Sequence, residues 1–168
     1  LDALGSRLRE QFSNSAHHWC TALCVWMSEL DADTAKGLLT EMGIFTMDGF
    51  NVRRHILASR TLDRALKPDP ADLRHLSTQI DLEVLTAMFC ALEPEDERHD
   101  HSRTLATEMG ILHAPPKNLL TGKHLKSFGI PPGPQMGKIL DHVYAAQLDG
   151  TVTTVEEALR YTEMSLKK

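Results

Sequence analysis

"LLTGKHLKSFGIPPGPQMGKILDHVYAAQLDGTVTTVEEAL", residues 119–159, decides how the chain reads. Thr121 can cap a short helix, GKHLKSF, by accepting an amide of its first turn. Gly129 ends that helix in the left-handed conformation, Ile130 folds back on the last turn, and Pro131 with Pro132 forbids continuation. Pro134 suits the first position of a second helix, PQMGKILDHVYAAQL, which stops at Gly150. The stretch therefore predicts two helices joined by a tight, rigid hairpin. The amides of Gln135, Met136 and Gly137 fall in the first turn of the second helix, at the positive end of its dipole and without intrahelical partners. Gly133 and Gly137 leave the backbone open to approach, and Lys123, Lys126 and Lys138 bring positive charge from both helices. Over 112–148 there are four lysines and one acid, 4 − 1 = +3, in a chain whose formal charge is −5. A local basic patch on an acidic chain, beside free amides, reads in two ways: as a Gly/Pro-shaped corner with solvated lysines, or as an anion site suited to a phosphate backbone.

Outward from this hairpin the apolar periodicity is helical nearly everywhere, with no alternating strand pattern, so the expected fold is all-α without a β-sheet. AHHWCTALCVWMSEL (16–30) is apolar almost all round and reads as a buried helix, with Trp19 and Trp26 packed in the core. Asp31 and Asp33 open an amphipathic helix ending at Gly43. A third helix is expected over 48–67, stopped by Pro68 and Pro70; a short one over 70–78 leads to the apolar DLEVLTAMFCAL (81–92), and a polar-faced helix follows Pro94. LLTEMGIF (38–45) and LATEMGIL (105–112) echo one another, each Gly fitting the left-handed residue just past a helix end. The expected organisation is a helical body over 1–112 and a tail over 113–168.

Within the 48–67 helix, Arg53, Arg60, Arg64 and Lys67 return to one side at spacings of 7, 4 and 3, while Val52, Ile56, Leu62 and Leu66 occupy most of the remaining circumference. That helix can pack and still present a basic stripe, and guanidinium groups suit phosphate by forked hydrogen bonding.

Composition sets outer bounds. At 168 residues and 42% hydrophobic, the chain can build a sizeable core and predicts a soluble globular protein. Cys20, Cys24 and Cys90 form no disulfide framework, which favours a reducing, cytoplasmic setting. No run approaches the roughly 18 apolar residues of a membrane span. The start, LDALGSRLRE, has no initiator Met, so the sequence is expected to be a piece of a longer chain. Catalytic signatures are sparse: there is no Gly-x-Ser-x-Gly, phosphate-binding Walker loop or dinucleotide fingerprint. His17, Cys20 and Cys24 could share a helix face but lack a fourth zinc ligand. His99-Asp100-His101 has the paired His-Asp of metal-dependent phosphohydrolases, yet adjacent residues point to different sides of a helix.

The 119–159 stretch resembles the C-terminal tail of class II tRNA nucleotidyltransferases, the bacterial CCA-adding enzymes and their poly(A) polymerase relatives. The resemblance rests on Leu120, Thr121, Gly122, Lys123, Leu125, Gly129, Pro132, Gly133, Pro134, Gly137, Leu140, Ala146, Gln147, Leu148, Asp149, Gly150 and the acidic last helix. Residues 16–67 are more weakly similar to the helical body of that family. The family's catalytic head, with its Gly-Gly phosphate loop and metal-binding Asp-x-Asp pair, has no counterpart in this sequence. The resemblance thus implies RNA positioning, with tRNA as partner, no catalytic or metal-ligating residue, and magnesium and ATP or CTP only in a missing head. Two other functions fit the residues: a headless scaffold for protein interaction, and a phosphohydrolase using His99 and Asp100. The chain by itself is expected to transfer no nucleotide; incorporation of labelled ATP or CTP into tRNA by the isolated chain with magnesium would overturn that expectation.

Overall fold

Three aspartates mark the helix starts. Asp31, Asp69 and Asp81 each hold extended backbone one residue before a helix and accept amides of its first turn: Thr34 for Asp31, Ala71 and Asp72 for Asp69, Glu83 and Val84 for Asp81. The hydroxyl and amide of Thr34 hold the Asp31 carboxyl below its ordinary pKa. The computed structural model describes residues 15–61 and 69–166. Among these residues the regular elements are helices, with no strand: α1 Ser15–Trp26, α2 Ala32–Glu41, α3 Val52–Thr61, α4 Pro70–Ser77, α5 Leu82–Leu92, α6 Arg98–Glu108, α7 Gly122–Ser127, α8 Pro134–Leu148 and α9 Val155–Leu166. None is long and apolar enough to cross a membrane.

The helix ends follow the glycines. Gly43 and Gly110 have φ of +67° and +66°. Ile44 N donates to Leu39 O at 3.0 Å and Ile111 N to Ala106 O at 2.9 Å, the six-residue closure of a Schellman motif in both copies of the echo. At the start of α3 the structure corrects the sequence reading. Asp48 and Gly49, at φ +50° and +79°, form a two-residue reverse turn closed by Met47 and Phe50, which exchange both backbone hydrogen bonds at 2.9 and 2.8 Å. The helix therefore begins at Val52, with the Asn51 side chain accepting Arg54 N at 2.9 Å. Its expected continuation through 62–67 lies outside the described residues.

Two hydrophobic clusters organise the packing. The first draws on α1 to α6, including Cys20, Cys24, Met27, Leu39, Val52, Ile56, Leu73, Leu85, Met88, Phe89 and Ile111. Helix α5 is its axis, buried from Leu82 to Phe89 apart from Glu83 and packed against α1, α4 and α6. The second joins α7, α8 and α9 through Leu120, Leu125, Ile130, Met136, Val143, Ala146, Val152 and Ala158. Helix α1 departs from expectation: it packs one face on α3 and α5, while Trp19 and Trp26, seven residues apart, are 53% and 59% exposed.

Helix α4 connects the two clusters. Arg74 Nε donates to Leu148 O at 2.7 Å, and His75 Nε2 lies 2.7 Å from Asp149 Oδ1. Both contacts meet the C-terminal end of α8, where the Arg74 guanidinium satisfies an orphan carbonyl and His75 meets the Asp149 carboxylate. Gly150, at φ +78°, leaves room for this arginine, since a Cβ there would stand 2.6 Å from Arg74 Nη2. Gly150→Ala is accordingly expected to cost more than Gly43→Ala, where space is open. Both carry the left-handed penalty of about 1–2 kcal/mol, and the excess at Gly150 should be about 1 kcal/mol, the size of one hydrogen bond. Urea melts of both variants check this, and the excess should vanish in an Arg74→Ala background.

Candidate functional site

In the tail hairpin, Thr121 begins α7 and its amide donates to His124 Nδ1 at 3.1 Å, so a histidine fills the place a glutamate usually takes in a capping box. Gly129, at φ +77°, closes the helix, with Ile130 N on Leu125 O at 3.1 Å. Lys123, Lys126 and Lys138 are all exposed. Phe128, the residue before Gly129, is 40% exposed on the same corner.

The backbone at the start of α8 differs from the sequence reading in two respects. Gly133 has φ 162° and ψ −175°, extended backbone open to any residue, so no strain requires glycine there. Gly137 N already donates to Gly133 O at 3.3 Å, which closes the first helical bond. The free donors therefore narrow to the amides of Gln135 and Met136, in a first turn reached by no capping side chain. A Cβ built on Gly133 or Gly137 meets nothing within 4 Å, so both positions border open space.

The basic stripe of α3 is only partly free. Arg53 is half-buried, its guanidinium 5.2 Å from the Phe45 ring centroid and donating to Thr40 Oγ1 at 3.3 Å. Arg60 Nη1 donates to the carbonyl of Ser28, just beyond the end of α1. Arg64 and Lys67 lie outside the described residues. Arg60 thus closes a neighbouring helix end, a distant partnership that spacing along α3 does not register.

The other chemistry-bearing residues are dispersed by the fold. His99 is buried and places Nδ1 3.2 Å from Asp100 Oδ1, while the Asp100 side chain is 81% exposed. Cys20 and Cys24 are both buried; a hydrogen bond with Cys24, then burial, push the Cys20 thiol well above its usual pKa. His17 turns from the thiols to Asp81, with Nε2 3.0 Å from Oδ2, and edges against Phe50 at 4.5 Å between centroids. His113 Nδ1 lies 3.2 Å from the same Asp81 oxygen. Asp81, Glu83 and His113 were not singled out from sequence, although Asp81 stands at a recognisable cap position, because His17 is 64 residues away along the chain.

Comparison of the chain with protein-family models, with curated proteins and with solved structures found no match.

The geometry around Asp81 yields a stability prediction. Its side chain is 4% exposed, and it serves two amides and two imidazoles. Asp81→Ala should cost about 1 kcal/mol for the cap and about 1.5–3 kcal/mol for hydrogen bonds made to a charged group. Asp31→Ala removes an exposed cap only, and should cost about 1 kcal/mol. Equal denaturant midpoints for the two variants would reduce Asp81 to an ordinary cap.

Proposed function

We propose that this chain is an RNA-binding module whose tail hairpin grips the phosphate backbone, with tRNA as its partner. The observation that carries this reading is the start of α8: two first-turn amides without a capping side chain, flanked by glycines facing open space, with Lys123 and Lys126 exposed on α7 and Lys138 exposed on α8. Amides at the positive end of a helix dipole, surrounded by ammonium groups, match a phosphate in charge and in hydrogen-bond sense. Exposed Phe128 adds an apolar face on which a base or ribose can rest. Such contacts position a backbone without reading sequence. On the resemblance of residues 119–159 to the tail of class II tRNA nucleotidyltransferases, the module would hold RNA while a catalytic head in a parent protein extends the 3′ end. Arg53 and Arg60 are at most secondary contributors, since each already has a partner within the body.

A second reading has its own observation. Trp19 and Trp26 stand exposed on one face of α1, and paired exposed tryptophans suit a protein partner, as expected of a scaffold without RNA binding.

RNA titration at several salt concentrations separates the two. RNA binding should weaken steeply with salt, and Lys138→Gln should reduce the slope of log affinity against log salt by about 0.7–0.9 with little change among RNA sequences. Gly133→Val should leave the melting temperature unchanged, because its backbone is extended and its surroundings open, and should still lower affinity by obstructing the phosphate. A slope near zero, or one slope shared by all three proteins, would leave the hairpin as a corner of the fold.

A further inference from the structure

We propose that His17, Glu83 and His113, with Asp81 hydrogen-bonded to both imidazoles, form a site for one divalent transition-metal ion of the zinc class. The donors come from three segments and converge. His17 Nε2 and His113 Nδ1 lie 3.0 and 3.2 Å from Asp81 Oδ2, and Glu83 Oε2 lies 3.9 Å from His113 Nδ1. One ligand atom from each of His17, Glu83 and His113 falls within 4.8 Å of the others. Bonds of about 2.0–2.2 Å around a tetrahedral zinc place its donors roughly 3.3–3.6 Å apart. The three donors, within 4.8 Å of one another, need to close by about 1 Å to reach that range, which small side-chain rotations supply. Two imidazoles with one carboxylate select zinc and its neighbours over magnesium and calcium, which prefer oxygen alone.

The surroundings orient these ligands as outer partners of a metal site do. Asp81 Oδ1 is occupied by the amides of Glu83 and Val84 at 2.9 and 3.4 Å, which leaves Oδ2 toward the imidazoles. Arg103 Nη2 holds Glu83 Oε1 at 3.0 Å, leaving Oε2 toward His113. Phe50 packs against the His17 ring. The segment carrying His113 is fixed beside α5 because Leu82 N donates to Leu112 O at 2.9 Å. A dication would offset the two carboxylates, with Arg103 outside them. A cleft of about 210 Å³, lined by Arg54, His55, Ile80, Asp81, His113 and Pro115, reaches the cluster from solvent, and the His113 side chain is 56% exposed. The site is therefore open on one side, where a water or an oxygen of a small ligand completes the coordination.

Zinc titrated into the chelator-stripped full chain, in competition with a chromophoric chelator, tests this. One ion per chain is expected, and cobalt should give a visible absorption band of low-coordinate geometry. His113→Ala should leave the metal-free chain folded, with at most the loss of one hydrogen bond to Asp81, and lower zinc affinity by at least about tenfold, with the cobalt band lost. Glu83→Gln should weaken binding in the same direction, and the double variant Cys20→Ala with Cys24→Ala should keep wild-type affinity. Absence of stoichiometric binding, wild-type affinity in both His113→Ala and Glu83→Gln, or loss of binding in the cysteine variant would overturn the proposal.

Discussion

A carboxylate taken out of water must be fully hydrogen-bonded, and in this chain that requirement falls on Asp81. One oxygen accepts the first-turn amides of α5 and the other faces His17 and His113. These partners can assemble only if the first turn of α1 crosses the start of α5 and the segment after α6 returns beside it. The Leu82 to Leu112 backbone bond is the trace of that return. With the start of α5 so fixed, its apolar length lies between α1, α4 and α6, and the larger hydrophobic cluster forms around it. A single polar residue thus sets the register of an otherwise apolar core, where nonspecific packing alone would leave several arrangements close in energy.

The same economy holds where the two hydrophobic clusters meet. Arg74 and His75 at the end of α4 engage Leu148 O and Asp149 at the end of α8, so the tail is oriented through two polar contacts and a glycine that leaves them room. The smaller cluster is closed by residues of α7, α8, α9 and their connections. The hairpin is consequently presented by a unit with its own core, its lysines on the solvent side of helices that are packed from within.

What could be read from the sequence follows the range of the interactions involved. As caps and helix stops, Asp31, Asp69, Asp81, Gly43, Gly110, Gly129 and Gly150 act on residues within five positions of themselves, and the helix ends fall where these residues place them. The Asp48-Gly49 turn is equally local, and its dipeptide is a strong hairpin signal; a helical reading of 48–52 overlooked it because Val52 and Ile56 continue the apolar spacing. Long-range facts had no such signature. Apolar composition made α1 look buried all round, yet its depth depends on how many helices surround it, and Trp19 and Trp26 face none. Arg60 looked available for phosphate until the fold brought the Ser28 carbonyl to it across 32 residues. The partners of His17 lie 64 and 96 positions away, beyond anything that spacing on one helix can indicate.

The tail glycines divide by cause, and the division bears on what the hairpin is for. Gly129 and Gly150 hold φ of +77° and +78°, a region that side chains resist, so helix termination accounts for them. Gly122 starts α7 with the Met136 sulfur 3.4 Å from where an added Cβ would stand, an ordinary contact that a side chain could accept. Helix termination does not account for Gly133, whose backbone is extended, or Gly137, which lies inside α8, and both face open space. Within a helix, glycine is about 0.5–1 kcal/mol less favourable than alanine, so at Gly137 the fold loses stability and gains no contact in return. On the proposal of a phosphate contact, a bare backbone at this helix start is what close approach of the ligand would use. The donors there are amides at the positive end of a helix and the exposed charges of the hairpin are lysines, which is why the proposed ligand is an anion.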